Sequence, residues 1–126
     1  MPNATANLTD TKRFDLKSLP EGFIELRRMT YGQSVQRRAL LKLSVNTGGG
    51  RNKSFSAEMA MASEEIQLFE FRHCIVEHNL DDAQGRRLNL GSPADFALLD
   101  PRVGQEIEKY ISEMNNFDDE EERLGD

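Results

Sequence analysis

The sequence contains no tryptophan and only one cysteine, Cys74, among its 126 residues. A single cysteine cannot form an internal disulfide, so the composition gives no reason to expect an oxidising compartment. No apolar run approaches the length of a membrane-spanning helix, and the N-terminal residues MPNATANLTD lack the basic start and apolar core of a signal peptide. These absences favour a cytosolic protein without a membrane segment, and the length fits one small domain.

Charge is spread unevenly along the chain. Residues 1–54 contain ten Lys or Arg and four Asp or Glu, whereas residues 55–126 contain six and eighteen. This polarity could serve head-to-tail self-association or a charged partner. The alternative, which we favour, is that opposite charges face each other within one fold or are simply solvated.

Residue patterns predict an α+β fold that is mainly helical. Alternating residues at about 23–28 and 54–61 predict a small antiparallel β element, although the Ala and Met residues of the second segment also suit a helix. This element should pack on a helical core, for which the spacing of apolar residues and the capping signals predict helices at about 31–44, 64–78, 93–98 and 101–116. The flanking segments are polar, so we expect a disordered arm at 1–13, a single folded domain at 14–117 and an acidic tail at 118–126.

The predicted helix at 64–78 is the most apolar part of the chain and should be central to the fold. Its apolar residues cover more than one side of the helix, which indicates contacts with several neighbours. The residues assigned to the core are Phe71, Ile75 and Val76.

The same helix contains the residues that most resemble a metal or catalytic site. His73, Cys74, Glu77 and His78 lie within six residues of one another, but they do not form an HExxH motif and no second ligand cluster follows. Cys74 lies in the middle of the helix, away from an evident base that would activate its thiol. Packing therefore explains these side chains better than chemistry, and we predict a non-enzymatic protein with no metal or cofactor.

A basic stretch at 27–53 offers an alternative function. Its Arg and Lys residues could form a patch that binds nucleic acid, as in a small regulator. The overall acidity and the absence of a known recognition motif make nucleic acid an unlikely partner, and a solvated face explains the stretch more simply.

Weak motifs along the chain together resemble a known family. "LPEGFIELRRMTYGQSVQRR" precedes "EFRHCIVEHNLDDAQGRRLNL" and "PADFALLDPRVGQEIEKYISEMNNF". The chain is similar in these segments to the tail assembly chaperones of long-tailed (siphovirus-type) bacteriophages. The similarity covers about residues 14–120. The matching features are Leu26-Arg27, Thr30-Tyr31-Gly32, the segment from Ile75 to Asp82, and Leu99-Asp100-Pro101 followed by Ile107, Ile111 and Asn115.

The resemblance implies a binding protein rather than an enzyme. Members of that family bind the long helical tape measure protein, keep it soluble and help recruit tail-tube subunits, which are copies of the major tail protein. The resemblance therefore implies a protein of the bacterial host cytoplasm that is absent from the mature virion.

A chaperone for an amphipathic helix needs an adaptable apolar surface with a charged rim. Methionine suits such a surface because its flexible side chain fits varied partners, although the same residues could be ordinary core fillers. The predicted partner-binding residues are Met59, Met61, Phe69, Val103, Ile107, Tyr110 and Met114.

Overall fold

The structure, a computed structural model, describes residues 2–46 and 53–115, with side chains described in 2–42 and 64–115. Its elements are β1 (Thr11–Asp15), β2 (Phe23–Arg27), α1 (Tyr31–Asn46), α2 (Lys53–Cys74), β3 (Ile75–His78), α3 (Pro93–Phe96) and α4 (Pro101–Asn115). The three strands form one antiparallel sheet, and four helices accompany it. The predicted α+β class is therefore confirmed.

The sheet has β2 in the middle, with β1 and β3 on either side. Phe14 of β1 lies opposite Ile24 of β2, and Ile24 in turn lies opposite His78 of β3. Because side chains alternate across a strand, Ile24 and Leu26 point to the same face, and both are fully buried. This face of the sheet is therefore the one that the helices cover.

The core forms where α2 and α4 cover this face of β2. On α4, Val103, Ile107 and Ile111 recur every four residues and are all buried, as an amphipathic helix requires. Phe71 of α2 is buried beside them and meets the ring of Phe96 edge-on, with centroids 5.2 Å apart.

Hydrogen bonds from polar residues of α4 hold the strands at both ends of this core. The Glu106 carboxylate accepts bonds from the backbone N–H groups of Lys17 and Ser18, at 2.7 and 2.8 Å, and from the hydroxyls of Ser18 and Tyr110, both at 2.6 Å. At the last residue of the helix, Asn115 Oδ1 accepts the Met29 N–H at 2.9 Å. The β1–β2 turn and the segment after β2 are therefore both attached to one helix.

In the turn between β1 and β2, the residue with a positive φ angle is not the glycine. The residue with positive φ is Glu21, at 67°, and its carbonyl accepts a bond from Asn79 Nδ2 at 2.8 Å. Gly22 is needed for space, because a Cβ there would come within 3.1 Å of both the Leu19 side chain and the Leu19 carbonyl. The Leu19 side chain therefore packs closely against Gly22.

The predicted strand at 54–61 was wrong. These residues belong to α2, which runs without interruption from Lys53 to Cys74. Alternation over eight residues that include several Ala and Met is compatible with either structure, and these residue types are strong helix formers. The helix preference of these residue types therefore outweighs their alternating pattern.

The end of the central helix was also placed too late. Helix α2 ends at Cys74, and Ile75–His78 form β3 instead of a last helical turn. Ile75 and Val76 are β-branched and favour a strand, and β2 supplies the pairing partner. Because of this change Val76, assigned to the core, is 49% exposed, whereas Ile75 is partly buried against the core.

The predicted disordered arm overlaps with β1. Thr11, Lys12 and Arg13 fall inside the range 1–13 but pair with β2, opposite Arg27, Leu26 and Glu25. A polar, unpatterned segment can still form an edge strand, since the neighbouring strand supplies its hydrogen bonds. The acidic tail at 118–126 lies outside the described residues.

Truncation of Phe71 to Ala should destabilise the fold by about 3–5 kcal/mol, because the side chain is 2% exposed and its removal leaves a cavity. Val76→Ala is the matched control, since this half-exposed residue should change the free energy of unfolding by less than about 1 kcal/mol. Urea unfolding of both variants checks the difference. Equal midpoints would contradict the assignment of Phe71 to the core.

Glu106→Gln should make stability less sensitive to acid. Burial opposes ionisation of Glu106, but the four hydrogen bonds outweigh it and lower the pKa from 4.5 to about 2. A carboxylate with a lowered pKa stabilises the fold above pH 4.5, and this contribution is lost as the pH falls towards 2. The difference in unfolding free energy between wild type and Glu106→Gln should therefore be constant above about pH 5.5 and shrink below pH 4.5.

The control for this experiment is Glu113→Gln, which changes an exposed residue of the same helix. Its stability should follow wild type across the acid range. A pH-independent difference between wild type and Glu106→Gln would show that the charge of Glu106 is not what stabilises the turn.

Candidate functional site

The residues that suggested metal or nucleophilic chemistry are separated by the end of α2. His73 and Cys74 close the helix, whereas Glu77 and His78 belong to β3, so His73 and Glu77 do not lie one helical turn apart. Within the described side chains, no group of three or more His, Cys, Asp or Glu residues is placed to hold a metal ion.

Burial or hydrogen bonding accounts for Cys74, His73 and His78. The Cys74 thiol is fully buried, and burial together with the nearby Glu70 carboxylate raises its pKa to about 12. Burial, followed by the positive charges of Arg27 and Arg72, lowers the pKa of His73. His78 Nδ1 accepts the Leu80 N–H at 3.0 Å, so this nitrogen is unprotonated in that bond.

The described arginines of the basic stretch lie in different surroundings. Arg27 Nε donates to the His73 carbonyl at 2.8 Å, and Arg37 is buried against Glu70 with an Nε–Oε2 distance of 3.3 Å. The Arg38 guanidinium lies 5.8 Å from the centre of the Tyr31 ring. Arg28 is exposed, and the side chains of residues 51–53 lie outside the described part.

The described members of the predicted partner-binding set belong to the core or its edge. Val103 and Ile107 are buried in the core, and Phe69, Tyr110 and Met114 are partly buried against it. Tyr110 stacks on Phe14 with centroids 4.5 Å apart. Met114 lines a cavity of about 330 Å³ with Phe14 and Arg28 among others. The side chains of Met59 and Met61 lie outside the described part.

The structure instead shows an apolar groove beside the start of α4, which we call the leucine groove. Its volume is about 360 Å³. Its apolar lining comes from three separate parts of the chain: the β1–β2 turn, the loop after β3, and the connection from α3 into α4. The apolar lining residues are Leu19, Leu80, Ala83, Leu88, Leu98, Leu99 and Val103.

Two of these leucines are exposed to solvent at the surface of the groove. Leu98 is 64% exposed and Leu19 is 39% exposed, whereas Leu80, Leu88 and Val103 are buried. Deeply buried side chains therefore form the floor, and accessible leucines continue the apolar surface outwards. A surface of this kind can bind an apolar side chain of a partner.

The loop wall of the groove is held by a network of hydrogen bonds around Asp82 and Asp95. The Asp95 carboxylate accepts a bidentate pair from the Arg86 guanidinium, at 2.7 and 3.0 Å, and the Asn89 N–H at 2.8 Å. These bonds, the one from Arg86 first, lower the pKa of Asp95 to about 2. Asp82 accepts the backbone N–H groups of Gln84 and Arg86, both at 2.9 Å. The wall is therefore fixed although it contains no regular element.

Carboxylates line the rim of the leucine groove. Asp81, Asp82 and Asp100 all contribute to its lining. Bonds from the Arg86 N–H lower the pKa of Asp82, and bonds from Arg102 lower that of Asp100. These two groups are therefore anionic at neutral pH, and each is paired with an arginine, Asp82 with Arg86 and Asp100 with Arg102.

Sequence reasoning missed the groove but found some of its parts. The predicted helix at 101–116 begins beside Asp100, which lines the groove. Leu98, the most exposed leucine of the groove, was predicted inside the helix at 93–98, but α3 ends at Phe96 and leaves it in the connection to α4.

Comparison with known proteins returned no matching family model, no matching curated protein and no matching solved structure. Among the described residues, no helix is both long enough and apolar enough to cross a membrane.

Cys74 should be unreactive towards a thiol reagent such as DTNB in the folded protein, because the buried thiol is neutral at pH 8. Reaction should become rapid in denaturant, which serves as the control for reagent and protein concentration. Rapid stoichiometric reaction of the native protein would contradict the burial of this side chain.

Proposed function

We propose that the chain is a tail assembly chaperone of a long-tailed bacteriophage. In this role it binds the tape measure protein in the bacterial host cytoplasm, keeps it soluble and helps recruit major tail protein subunits to the growing tube. The resemblance of the three sequence segments to that family supports the proposal. The proposed protein acts by binding and takes no part in covalent chemistry.

The leucine groove is the observation that carries the proposal. A tape measure protein is a long helical client with apolar faces, and such faces aggregate unless another apolar surface covers them. The groove offers a fixed apolar floor, accessible leucines and a charged rim. This combination suits reversible binding of a helical client better than it suits a small reaction centre.

The positions of the reactive side chains agree with a binding function. Cys74 is a buried neutral thiol, and His73 contacts Gln33 and Phe69, with an Nδ1–Nε2 distance of 3.1 Å to the amide. Cys74 is buried in the core and His73 is partly exposed, and neither lines the leucine groove. Their presence in the sequence is explained by packing and hydrogen bonding.

Co-expression with the long open reading frame adjacent to the gene tests the proposal. The client should be insoluble alone and soluble with this chain, and the two proteins should elute together in size-exclusion chromatography. The control is an unrelated protein of similar size and net charge, which should leave the client insoluble. A client whose solubility ignores this chain would contradict the chaperone function.

A further inference from the structure

We propose that the leucine groove binds a cationic amphipathic helix, with its apolar side chains on the leucines and its Lys or Arg side chains against the rim carboxylates. This inference rests on the proposed function and deepens it, because it specifies which segments of the client are bound. It predicts that the bound segments have basic residues beside their apolar stripe.

The backbone around the groove favours a helix over an extended chain. In the loop wall, Leu88 N–H donates to Leu80 at 2.9 Å, and Asp82 N–H donates to Arg86 at 2.8 Å. These backbone groups are bonded within the loop and are not offered to a partner strand. An extended segment would bury backbone groups without partners, whereas a helix satisfies its own and binds through side chains alone.

The carboxylates that line the groove favour a positively charged partner. Three carboxylates, those of Asp81, Asp82 and Asp100, line the groove, whereas the arginines that pair with them are not among its lining residues in the described part of the chain. A carboxylate can accept bonds at both oxygens, and Asp81 receives Arg87 at Oδ1, at 2.7 Å. The side chains of Asp81 and Asp100 are 42% and 46% exposed, so a Lys or Arg entering from the groove side can reach their carboxylates.

The apolar surface determines how the helix lies. Leu19 belongs to the β1–β2 turn and Leu98 to the connection between α3 and α4, so the accessible leucines come from two independent parts of the fold. A helix presents one continuous apolar face when its apolar residues recur at spacings of three or four, and we expect such a face to contact both leucines. Basic residues flanking that stripe then reach the rim.

A pair of synthetic peptides tests the inference directly. Each is a labelled amphipathic helix of about 20 residues, long enough to be helical in water, with the same leucine stripe. One carries Lys beside the stripe and the other carries Glu. Fluorescence anisotropy at low ionic strength should show the Lys peptide binding at least about tenfold more tightly, because like charges at an interface are strongly disfavoured.

Charge-reversal variants separate the rim from the net charge of −6, which attracts any cationic peptide. Asp81→Lys should weaken binding of the Lys peptide about tenfold or more. Asp15→Lys is the matched control: Asp15 is also an exposed acid paired with an arginine, Arg13, and lies outside the groove lining. Equal weakening by the two variants, or equal affinity of wild type for the two peptides, would overturn the inference.

Leucine-to-aspartate variants test the accessible apolar surface of the site. Leu98→Asp should reduce binding of both peptides, while Val35→Asp, at an exposed apolar position of α1, should leave it unchanged. Leu19→Asp provides a second groove variant should Leu98→Asp alter the circular dichroism spectrum. Similar losses with Val35→Asp and the groove variants would overturn the inference.

Co-expression of the same variants with the full-length client distinguishes the two proposals. Both proposals are supported if wild type and Val35→Asp solubilise the client and Leu98→Asp does not. If Leu98→Asp solubilises the client as well as wild type does, the chaperone function stands and the proposed binding in the leucine groove is overturned. Client that wild type fails to solubilise contradicts the chaperone function, and the peptide experiment then decides the groove alone.

Discussion

Burial of one face of strand β2 is the constraint on which the rest of the structure depends. Leaving the apolar face of β2 exposed to water would forfeit much of the stability that burial supplies. Ile24 and Leu26 must therefore be covered, and α2 and α4 cover them with Phe71, Ile107 and Ile111. Helix α4 has a second role in this arrangement. Glu106 binds the backbone of the β1–β2 turn, and Asn115 binds the backbone just after β2. Apolar burial fixes which elements meet, and these polar contacts fix their alignment.

The leucine groove follows from the same arrangement. Helix α4 begins beside the hairpin turn, so Val103 of its first turn and Leu19 of that turn line one apolar surface. The loop after β3 completes it, held rigid by Arg86 between Asp82 and Asp95. Leu98 then remains 64% exposed among the described residues, close to the carboxylates that line the groove. An apolar surface with charged edges, supported by a fixed wall, is the physical basis of the proposed client binding.

Local periodicity predicted α4 and β2 but failed at 54–61, where alternating residues belong to α2. The stripe of Val103, Ile107 and Ile111 predicted α4, and alternation predicted β2. Prediction was wrong where the outcome depended on distant partners: Ile75–His78 form a strand because β2 is available to pair with them, and this also exposes Val76. The groove was missed for the same reason, since its lining comes from positions 19, 80–88 and 98–103, which only the folded chain brings together.

Methyl NMR of the protein with the Lys-flanked peptide is the most direct test of this account. With Leu and Val methyl groups labelled, the largest shift changes should fall on Leu19, Leu80, Leu88, Leu98, Leu99 and Val103, the leucines and valine that line the groove. Val35 and Val76, which are exposed elsewhere, should stay unchanged. Shifts centred on Val35 or Val76, with the groove methyl groups unmoved, would contradict the central claim that the leucine groove is the binding surface.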